Sequence, residues 1–192
     1  NSRVADLGAN IGLHTIIMSK LGGKVSAYEP DIDHANQLSK NLKINKTKAQ
    51  LVRKAVFTKK TNIKFTKVID NSTSSFIGNA KKPYGPIKTI KVKTVRFLDI
   101  LETNDILKID VEGVEDKLIE STKEKNWNNK FAILEVGTAQ NAKKVFSHLK
   151  KFKSIKLLSQ KQTWKKVEKL SQMPKSYKDG SLIICNKDFF YK

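Results

Sequence analysis

Cysteine and long apolar runs are almost absent from this 192-residue sequence. The one thiol, Cys185, cannot form an internal disulfide, and its apolar neighbours predict a buried position in a strand. No run of eighteen or more apolar residues is present, so no membrane-spanning helix is predicted. The chain also begins at Asn1 without a charged and apolar leader, which predicts a cytoplasmic protein and suggests that an N-terminal segment is missing.

Arginine is scarce as well, because Arg3, Arg53 and Arg96 are the only three among 38 basic residues. The net charge of +20 is typical of proteins that bind nucleic acid. Lysine supplies most of it, however, and lysine suits a plain solvated surface equally well. Residues 143–192 contain fourteen lysines and three acids, with Trp164 among them. We expect generic surface charge here and keep an RNA-binding region as the alternative.

Strand-like and helix-like apolar patterns alternate along most of the chain. Short apolar runs are followed by segments in which apolar residues recur every three or four positions. This alternation predicts a doubly wound α/β fold with a mostly parallel sheet of seven strands, the last of them antiparallel. The predicted strands cover residues 4–7, 24–29, 51–57, 106–111, 131–136, 154–158 and 181–185, and the predicted helices cover residues 11–21, 30–42, 114–125, 139–149 and 163–171.

Residues 61–97 interrupt the alternation. Period-two apolar patterns near Ile63 and over residues 87–97 indicate strands, and polar segments at 71–75 and 81–86 indicate a loop and a turn. We therefore predict a β-rich insertion along one edge of the sheet, with residues 72–75 as an exposed turn. Since no linker or repeat is present, we expect a single domain over residues 1–192.

The end of the first predicted strand has the sequence DLGANIG at residues 6–12. Ligands of doubly wound sheets bind at the carboxyl ends of strands. Gly8 allows close backbone approach, Asn10 tolerates a positive φ, and Gly12 lets the next helix pack closely. The glycines lie four apart rather than in the G-x-G-x-x-G spacing of nicotinamide enzymes, which favours a nucleoside over a pyrophosphate. Glu29 ends the second predicted strand, where an acid accepts hydrogen bonds from ribose hydroxyls.

Together with AYEP at 27–30, VRFLD at 95–99 and KIDVEGVE at 108–115, DLGANIG resembles the FkbM-type S-adenosylmethionine-dependent methyltransferases. The resemblance covers about residues 4–136, in the same order. It implies a class I methyltransferase fold, S-adenosylmethionine as the cofactor, and methylation of hydroxyl oxygens, often on sugars or natural products.

The resemblance also implies roles for individual residues. The first loop would hold the methionine and ribose part of the cofactor, Glu29 the ribose hydroxyls, and the third strand the adenine. The implied cofactor-binding residues are Asp6, Gly8, Ala9, Asn10, Gly12, Glu29, Pro30, Ala55, Val56 and Asp110, and the implied acids beside the methyl group are Asp110, Glu112, Glu115 and Glu135.

The chemistry of methyl transfer to an alcohol agrees with these acids. An alcohol is a poor nucleophile while it is protonated, so a nearby base accelerates the reaction. We predict Asp110 as that base or as the group that orients the acceptor, with Glu112 and Glu135 completing the catalytic set. Carboxylates also suit Mg²⁺ or Ca²⁺, so a metal-assisted site stays as an alternative to the metal-free site that we expect. Glu115 fits a helix-terminal acid equally well.

The three histidines give weaker indications. His14 is expected to pack behind the first loop, with contact to the substrate as the alternative. His34 and His148 are expected to lie on helix surfaces.

The predicted function is S-adenosylmethionine-dependent methylation of a hydroxyl on a sugar or small-molecule acceptor. One alternative is an RNA methyltransferase that uses the lysine-rich C-terminal region. The other is a basic binding module that keeps the fold without catalysis.

Overall fold

Strands and helices alternate over most of the chain in the computed structural model, which describes residues 2–68, 76–77 and 86–186. The exposed turn predicted at residues 72–75 lies outside the described residues. The strands are β1 (Arg3–Leu7), β2 (Lys24–Tyr28), β3 (Gln50–Val52), β4 (Ala55–Phe57), β5 (Asn62–Val68), β6 (Phe76–Ile77), β7 (Ile87–Arg96), β8 (Ile106–Ile109), β9 (Phe131–Glu135), β10 (Ile155–Ser159), β11 (Lys165–Lys166) and β12 (Ser181–Asn186), and the helices are α1 (Leu13–Lys20), α2 (Ile32–Ile44), α3 (Phe97–Thr103), α4 (Glu115–Glu120) and α5 (Ala139–Leu149).

The main sheet has the strand order β11-β10-β12-β9-β8-β1-β2-β3. Strands β3, β2, β1, β8 and β9 run parallel to one another. Strand β12 lies antiparallel between β9 and β10, which confirms the predicted antiparallel last strand. The predicted mostly parallel, doubly wound sheet is confirmed, and its eighth strand is the two-residue edge strand β11.

The core lies around the central strands because these strands bury apolar side chains. Leu7, Leu107 and Leu134 of β1, β8 and β9 are fully buried in one cluster with Trp127, whose Nε1 donates a hydrogen bond of 3.0 Å to the Thr122 hydroxyl. Cys185 is buried as predicted, and burial raises the pKa of its thiol to about 11. No helix in the described ranges is both long and apolar enough to span a bilayer.

The third predicted strand, residues 51–57, is two strands in two sheets. Strand β3 pairs with β2, whereas β4 pairs with β7 in a second sheet of order β4-β7-β5-β6. The chain leaves the main sheet between Val52 and Ala55, and the buried side chains of Ala55, Phe65 and Val92 form a separate small core. The second sheet thereby begins at β4, before the segment where the apolar pattern changes.

Helix α3 is missing from the sequence prediction, which extended a strand through residue 97. Its buried residues Phe97, Ile100 and Leu101 have helical spacing. The Arg96 side chain donates a hydrogen bond of 2.7 Å from Nε to Asp99 at the start of this helix. This local bond and the burial of the apolar face favour a helix over continued strand.

The helix predicted at residues 163–171 is wrong. Thr163 and Trp164 both adopt a left-handed conformation, with φ of 55° and 61°, and turn the chain back onto β10. Trp164 N then donates to Ser159 O at 2.8 Å, and Val167 N donates to Leu157 O at 2.9 Å. Pairing with the open edge of the sheet therefore overrides the weak helical pattern.

Candidate active site

The carboxyl ends of β1, β2 and β8 open into a cavity of about 290 Å³. The second sheet contributes part of the wall, so both sheets border the cavity. The lining residues are Gly8, Ala9, Asn10, Ile11, Leu13 and His14 after β1, Tyr28, Glu29, Pro30 and His34 after β2, Lys108, Asp110, Val111 and Glu112 from β8 onward, and Ala55, Val56, Phe65 and Ile77 from the second sheet.

The loop after β1 needs its glycines for two close approaches. At Gly8 (φ 75°) a Cβ atom would lie 1.8 Å from the Asp110 carbonyl oxygen, so the loop packs directly on the chain after β8. At Gly12 (φ 94°) a Cβ atom would lie 2.8 Å from Cγ of Leu38 in α2. Asn10 also has a positive φ, of 50°. Gly12 supports the loop from behind and does not line the cavity.

Glu29 places a buried carboxylate at the cavity wall. Its Oε2 accepts a hydrogen bond from Asn10 N at 2.8 Å, and its Oε1 accepts one from Asp31 N at 2.9 Å. Burial raises the pKa of Glu29 to about 7, against the lowering effect of these two hydrogen bonds. The carboxylate therefore joins the first loop to the start of α2 and keeps acceptor lone pairs at the wall.

His34 stands beside this carboxylate, contrary to the surface position that its helix suggested. Its Nδ1 is 3.9 Å from Glu29 Oε1, and the ring is largely buried. Burial lowers the pKa of the imidazole. His148 is half-buried rather than on the surface, and its Nε2 forms a hydrogen bond of 3.0 Å with Thr122 O.

Lys108 is a site residue that the sequence reasoning missed. Its Nζ donates to Gly8 O at 3.1 Å and lies 3.5 Å from Asp6 Oδ1 and 3.2 Å from Asp110 Oδ2. Burial lowers the pKa of this ammonium, but the two carboxylates more than offset that effect and leave the pKa above its usual value. The sequence signal for this residue was a lysine within the apolar run ILKI, because a charged residue in a buried strand needs a charged partner.

Asp6 lies beneath the cavity rather than on its wall. It is fully buried, and its Oδ2 accepts a hydrogen bond of 2.5 Å from the Thr15 hydroxyl. Its contact with Lys108 makes it the lower end of a charged chain that leads from Asp6 through Lys108 to Asp110.

A second cavity, of about 340 Å³, adjoins the first. Asp110 and Glu112 line both cavities, and Glu115 and Glu135 line only the second. We call these four carboxylates the acidic wall. Polar groups complete the second cavity, which is also lined by Gly113, Asp116, Lys117, Gly137, Thr138, Gln140, Asn141 and Lys144.

Two members of the acidic wall have raised pKa values. Burial raises the pKa of Glu135 to about 7, and the charge and hydrogen bond of Asp110 add to this effect. Burial also raises the pKa of Glu115, whose carboxylate accepts hydrogen bonds of 3.0 and 3.2 Å from Gly113 N. Among the residues that the structure describes, no three His, Cys, Asp or Glu side chains are grouped to hold a metal ion.

The first cavity has the chemistry that a nucleoside requires. Ala55 and Val56 are buried on its wall beside Phe65, which gives an apolar surface for a base. The Glu29 carboxylate supplies hydrogen-bond acceptors for a ribose. These residues therefore fit the adenosine part of a nucleoside cofactor.

Comparison with solved structures shows the fold. The chain is similar to precorrin-6y C5,15-methyltransferase from Geobacter metallireducens GS-15 at 14% identity and a TM-score of 0.51, with 96% of this chain and 78% of that chain covered. It is similar to SMU.1697c from Streptococcus mutans in complex with SAH at 11% identity and a TM-score of 0.52, with 96% and 88% covered. It is also similar to an rRNA methylase from Streptococcus thermophilus at 9% identity and a TM-score of 0.50, with 97% and 87% covered.

The sequence comparison identifies the family. No curated protein matches the chain. The profile described as "Methyltransferase FkbM domain" matches residues 6–160, which span most of the chain and include both the loop after β1 and the acidic wall. The resemblance seen in the sequence is thereby confirmed: the chain belongs to the FkbM methyltransferase family, and its cofactor is S-adenosylmethionine.

Proposed function

We propose that the protein transfers a methyl group from S-adenosylmethionine to a hydroxyl of an acceptor bound in the second cavity. One observation carries the proposal: Asp110 and Glu112 line both the cofactor cavity and the polar second cavity. Carboxylates at the junction of the two cavities have access to a donor on one side and an acceptor on the other. Neutral polar groups such as Thr138 and Asn141 suit an acceptor rich in hydroxyls.

The loop after β1 and the end of β2 would hold the cofactor. Gly8, Ala9 and Asn10 line the wall and would contact the cofactor there, Glu29 would bind the ribose hydroxyls, and Pro30 follows it on the same wall. Ala55 and Val56 would contact the adenine. Asp6 and Gly12 would act from behind the wall, by fixing Lys108 and the start of α1. When bound, S-adenosylmethionine supplies an electrophilic methyl group on a sulfonium.

Asp110 would accept the proton of the acceptor hydroxyl as its oxygen bonds to the methyl carbon, with the bond from that carbon to the sulfonium breaking so that S-adenosylhomocysteine is the product that leaves. The ion pair with Lys108 fixes Asp110 from the side of the cofactor loop. On the other side, Glu135 hydrogen-bonds with Asp110, and its pKa of about 7 lets it receive or return a proton near neutral pH. Glu112 would orient the acceptor.

The test compares cofactor binding with turnover. Calorimetry with S-adenosylhomocysteine should show binding to the wild-type protein and to Asp110→Asn. Methyl transfer to the acceptor should fall about 10²- to 10⁴-fold in Asp110→Asn, because the base is lost. Glu102→Gln, which changes an exposed carboxylate of α3, is the matched control and should keep full activity.

Two outcomes would contradict the proposal. Absence of S-adenosylhomocysteine binding would remove the cofactor site. Unchanged activity in Asp110→Asn would remove the assigned base. Loss of activity on treatment with EDTA would instead favour the metal-assisted alternative.

A further inference from the structure

Two exposed aromatic side chains lie among lysines in two neighbouring loops at one end of the sheet. Trp164 is 39% exposed and Tyr177 is 67% exposed, and they lie in the loops that follow β10 and precede β12. Residues 160–181 contain six lysines and two acids. We call the exposed side chains of Trp164, Tyr177, Lys165, Lys175 and Lys178 the aromatic–lysine surface.

Side-chain bonds tie these two loops together. Lys161 Nζ lies 3.2 Å from Asp179 Oδ2, which also accepts a hydrogen bond of 2.8 Å from Lys175 N. Gln160 Oε1 accepts a hydrogen bond of 2.9 Å from Ser181 N. The aromatic rings are therefore carried on connected backbone rather than on independent loops.

The aromatic–lysine surface lies at the same end of the strands as the acidic wall. Ser181, the first residue of β12, pairs in register with Glu135, and Ser159, the last residue of β10, pairs with Leu182. Neighbouring strands are about 4.8 Å apart, so β10 and its following loop lie roughly 10 Å from the end of β9. Only an extended acceptor reaches from the aromatic–lysine surface to Glu135.

The charges of this surface are available to an anionic partner. Within the described ranges, Lys165, Lys175 and Lys178 have no carboxylate within ion-pair distance. Lys178 Nζ lies 5.9 Å from the centre of the Tyr177 ring, so charge and aromatic face are adjacent. Exposed aromatic rings on a basic surface bind single-stranded nucleic acid, because bases stack on the rings and phosphates contact the lysines.

We propose that the aromatic–lysine surface binds single-stranded RNA and presents a ribose 2′-hydroxyl to the acidic wall. This assignment of the acceptor rests on the proposed hydroxyl methylation, because the 2′-hydroxyl is the group that RNA has and DNA lacks. Phosphates of the neighbouring nucleotides contact the lysines, while the 2′-hydroxyl of the reacting nucleotide faces the carboxylates. Strand binding itself does not depend on catalysis.

Fluorescence anisotropy with a labelled single-stranded oligouridylate tests the surface on the whole chain. Binding should weaken steeply with salt, with a slope in log–log form of about −0.7 per contacted phosphate. Trp164→Ala with Tyr177→Ala should weaken binding roughly fivefold to a hundredfold through lost stacking. Lys165→Glu with Lys178→Glu should weaken it and reduce the salt slope by about one or more.

The matched control makes the same change of charge away from this edge, with Lys24→Glu and Lys40→Glu at exposed positions of β2 and α2. Equal loss of RNA binding in the control and in Lys165→Glu with Lys178→Glu would overturn the proposal. RNA binding would then depend on the net charge of the protein and not on the position of the lysines. Salt-independent binding, or binding of a neutral oligosaccharide without binding of the RNA, would also overturn it.

Methylation separates this inference from the proposed function. With radiolabelled S-adenosylmethionine, the oligouridylate should accept methyl groups and the matching oligodeoxyuridylate should not. Methylation of a different hydroxyl compound, with no methylation of RNA, would overturn the inference and leave the proposed function standing. Thermal unfolding and S-adenosylhomocysteine binding of each variant check that the fold and the cofactor site are intact.

Discussion

At the scale of a single residue, the half-buried carboxylate of Glu135 in the acidic wall makes stability depend on pH. Glu135 has a pKa of about 7 in the folded protein and an ordinary value of 4.5. Because its folded pKa is raised, its contribution to stability is fully present below about pH 4.5 and is lost as the pH rises through 7.

Glu135→Gln removes this titration. At about pH 8 the variant should gain about 1–3 kcal/mol in free energy of unfolding relative to the wild type, because the partly exposed carboxylate is no longer ionised beside Asp110. At about pH 4.5 the gain should vanish. Urea unfolding at the two pH values measures the difference, and Glu102→Gln should show no such dependence. An equal gain at both pH values would point to packing instead of charge.

Lys108 is the second residue with a large expected effect. Lys108→Met leaves Asp6 and Asp110 without their shared ammonium, and breaking a buried pair in this way costs about 3–5 kcal/mol. Denaturant unfolding should show this loss, and affinity for S-adenosylhomocysteine should fall because Gly8 O loses its donor. Lys166→Met, which breaks the exposed pair with Glu168, should leave stability unchanged. A loss below about 1 kcal/mol in Lys108→Met would argue that water replaces the ammonium.

Site residues could be predicted from the sequence where the signal for each lies within one short segment. Gly8, Glu29 and Asp110 follow strands, and strand ends are visible as the ends of apolar runs. Lys108 was missed because two of its partners, Asp6 and Gly8, lie about a hundred residues earlier in the chain. Neither segment alone predicts that β1 pairs with β8. His34 was missed for a different reason: Glu29 is only five residues earlier, but the turn between β2 and α2 that brings the two side chains together has no apolar pattern.

At the scale of elements, the second sheet matters because it forms part of the wall of the first cavity. Phe65 of β5 and Ile77 of β6 line the wall, and Ile77 N donates a hydrogen bond of 3.2 Å to Glu112 O. The sheet is therefore connected both to the proposed adenosine side of the first cavity and to the acidic wall.

Phe65→Ala should weaken cofactor binding directly, in addition to lowering the stability of the fold. Removing a buried phenyl ring costs about 3–5 kcal/mol in stability and opens the cavity wall. Ile63→Ala is the matched control, because Ile63 packs in the same small core without lining the cavity. Calorimetry with S-adenosylhomocysteine, at a temperature where both variants are folded, should show weaker binding for Phe65→Ala only. Equal affinities would mean that the second sheet does not contact the cofactor.

Elements with strong apolar periodicity were predictable, and elements decided by sheet pairing were not. Helix α5 matches its predicted bounds because Ala142, Val145 and Leu149 form a buried stripe. The segment after β10 became an edge strand because the sheet offered unpaired backbone groups there. The split between β3 and β4 follows from competition between two sheets, and the apolar pattern of residues 51–57 does not predict it.

At the scale of the whole molecule, basic residues dominate the charge, while the second cavity has a local concentration of acidic residues. The chain has a net charge of +20, yet five of its 18 acidic residues line the second cavity. Mutual repulsion of exposed lysines opposes folding, whereas the pairs of Lys108 are buried and are screened much less by salt.

Salt should therefore stabilise the protein. The midpoint of thermal unfolding should rise as NaCl increases from low concentration to about 0.15 M, where the Debye length falls to about 8 Å, and should then level off. Differential scanning calorimetry at constant pH measures this dependence. Replacing exposed Lys24 and Lys40 with glutamine should raise the midpoint at low salt and flatten the curve, because fewer like charges remain to be screened. A midpoint that falls with salt would mean that exposed ion pairs, such as Lys60 with Asp99, outweigh the repulsion.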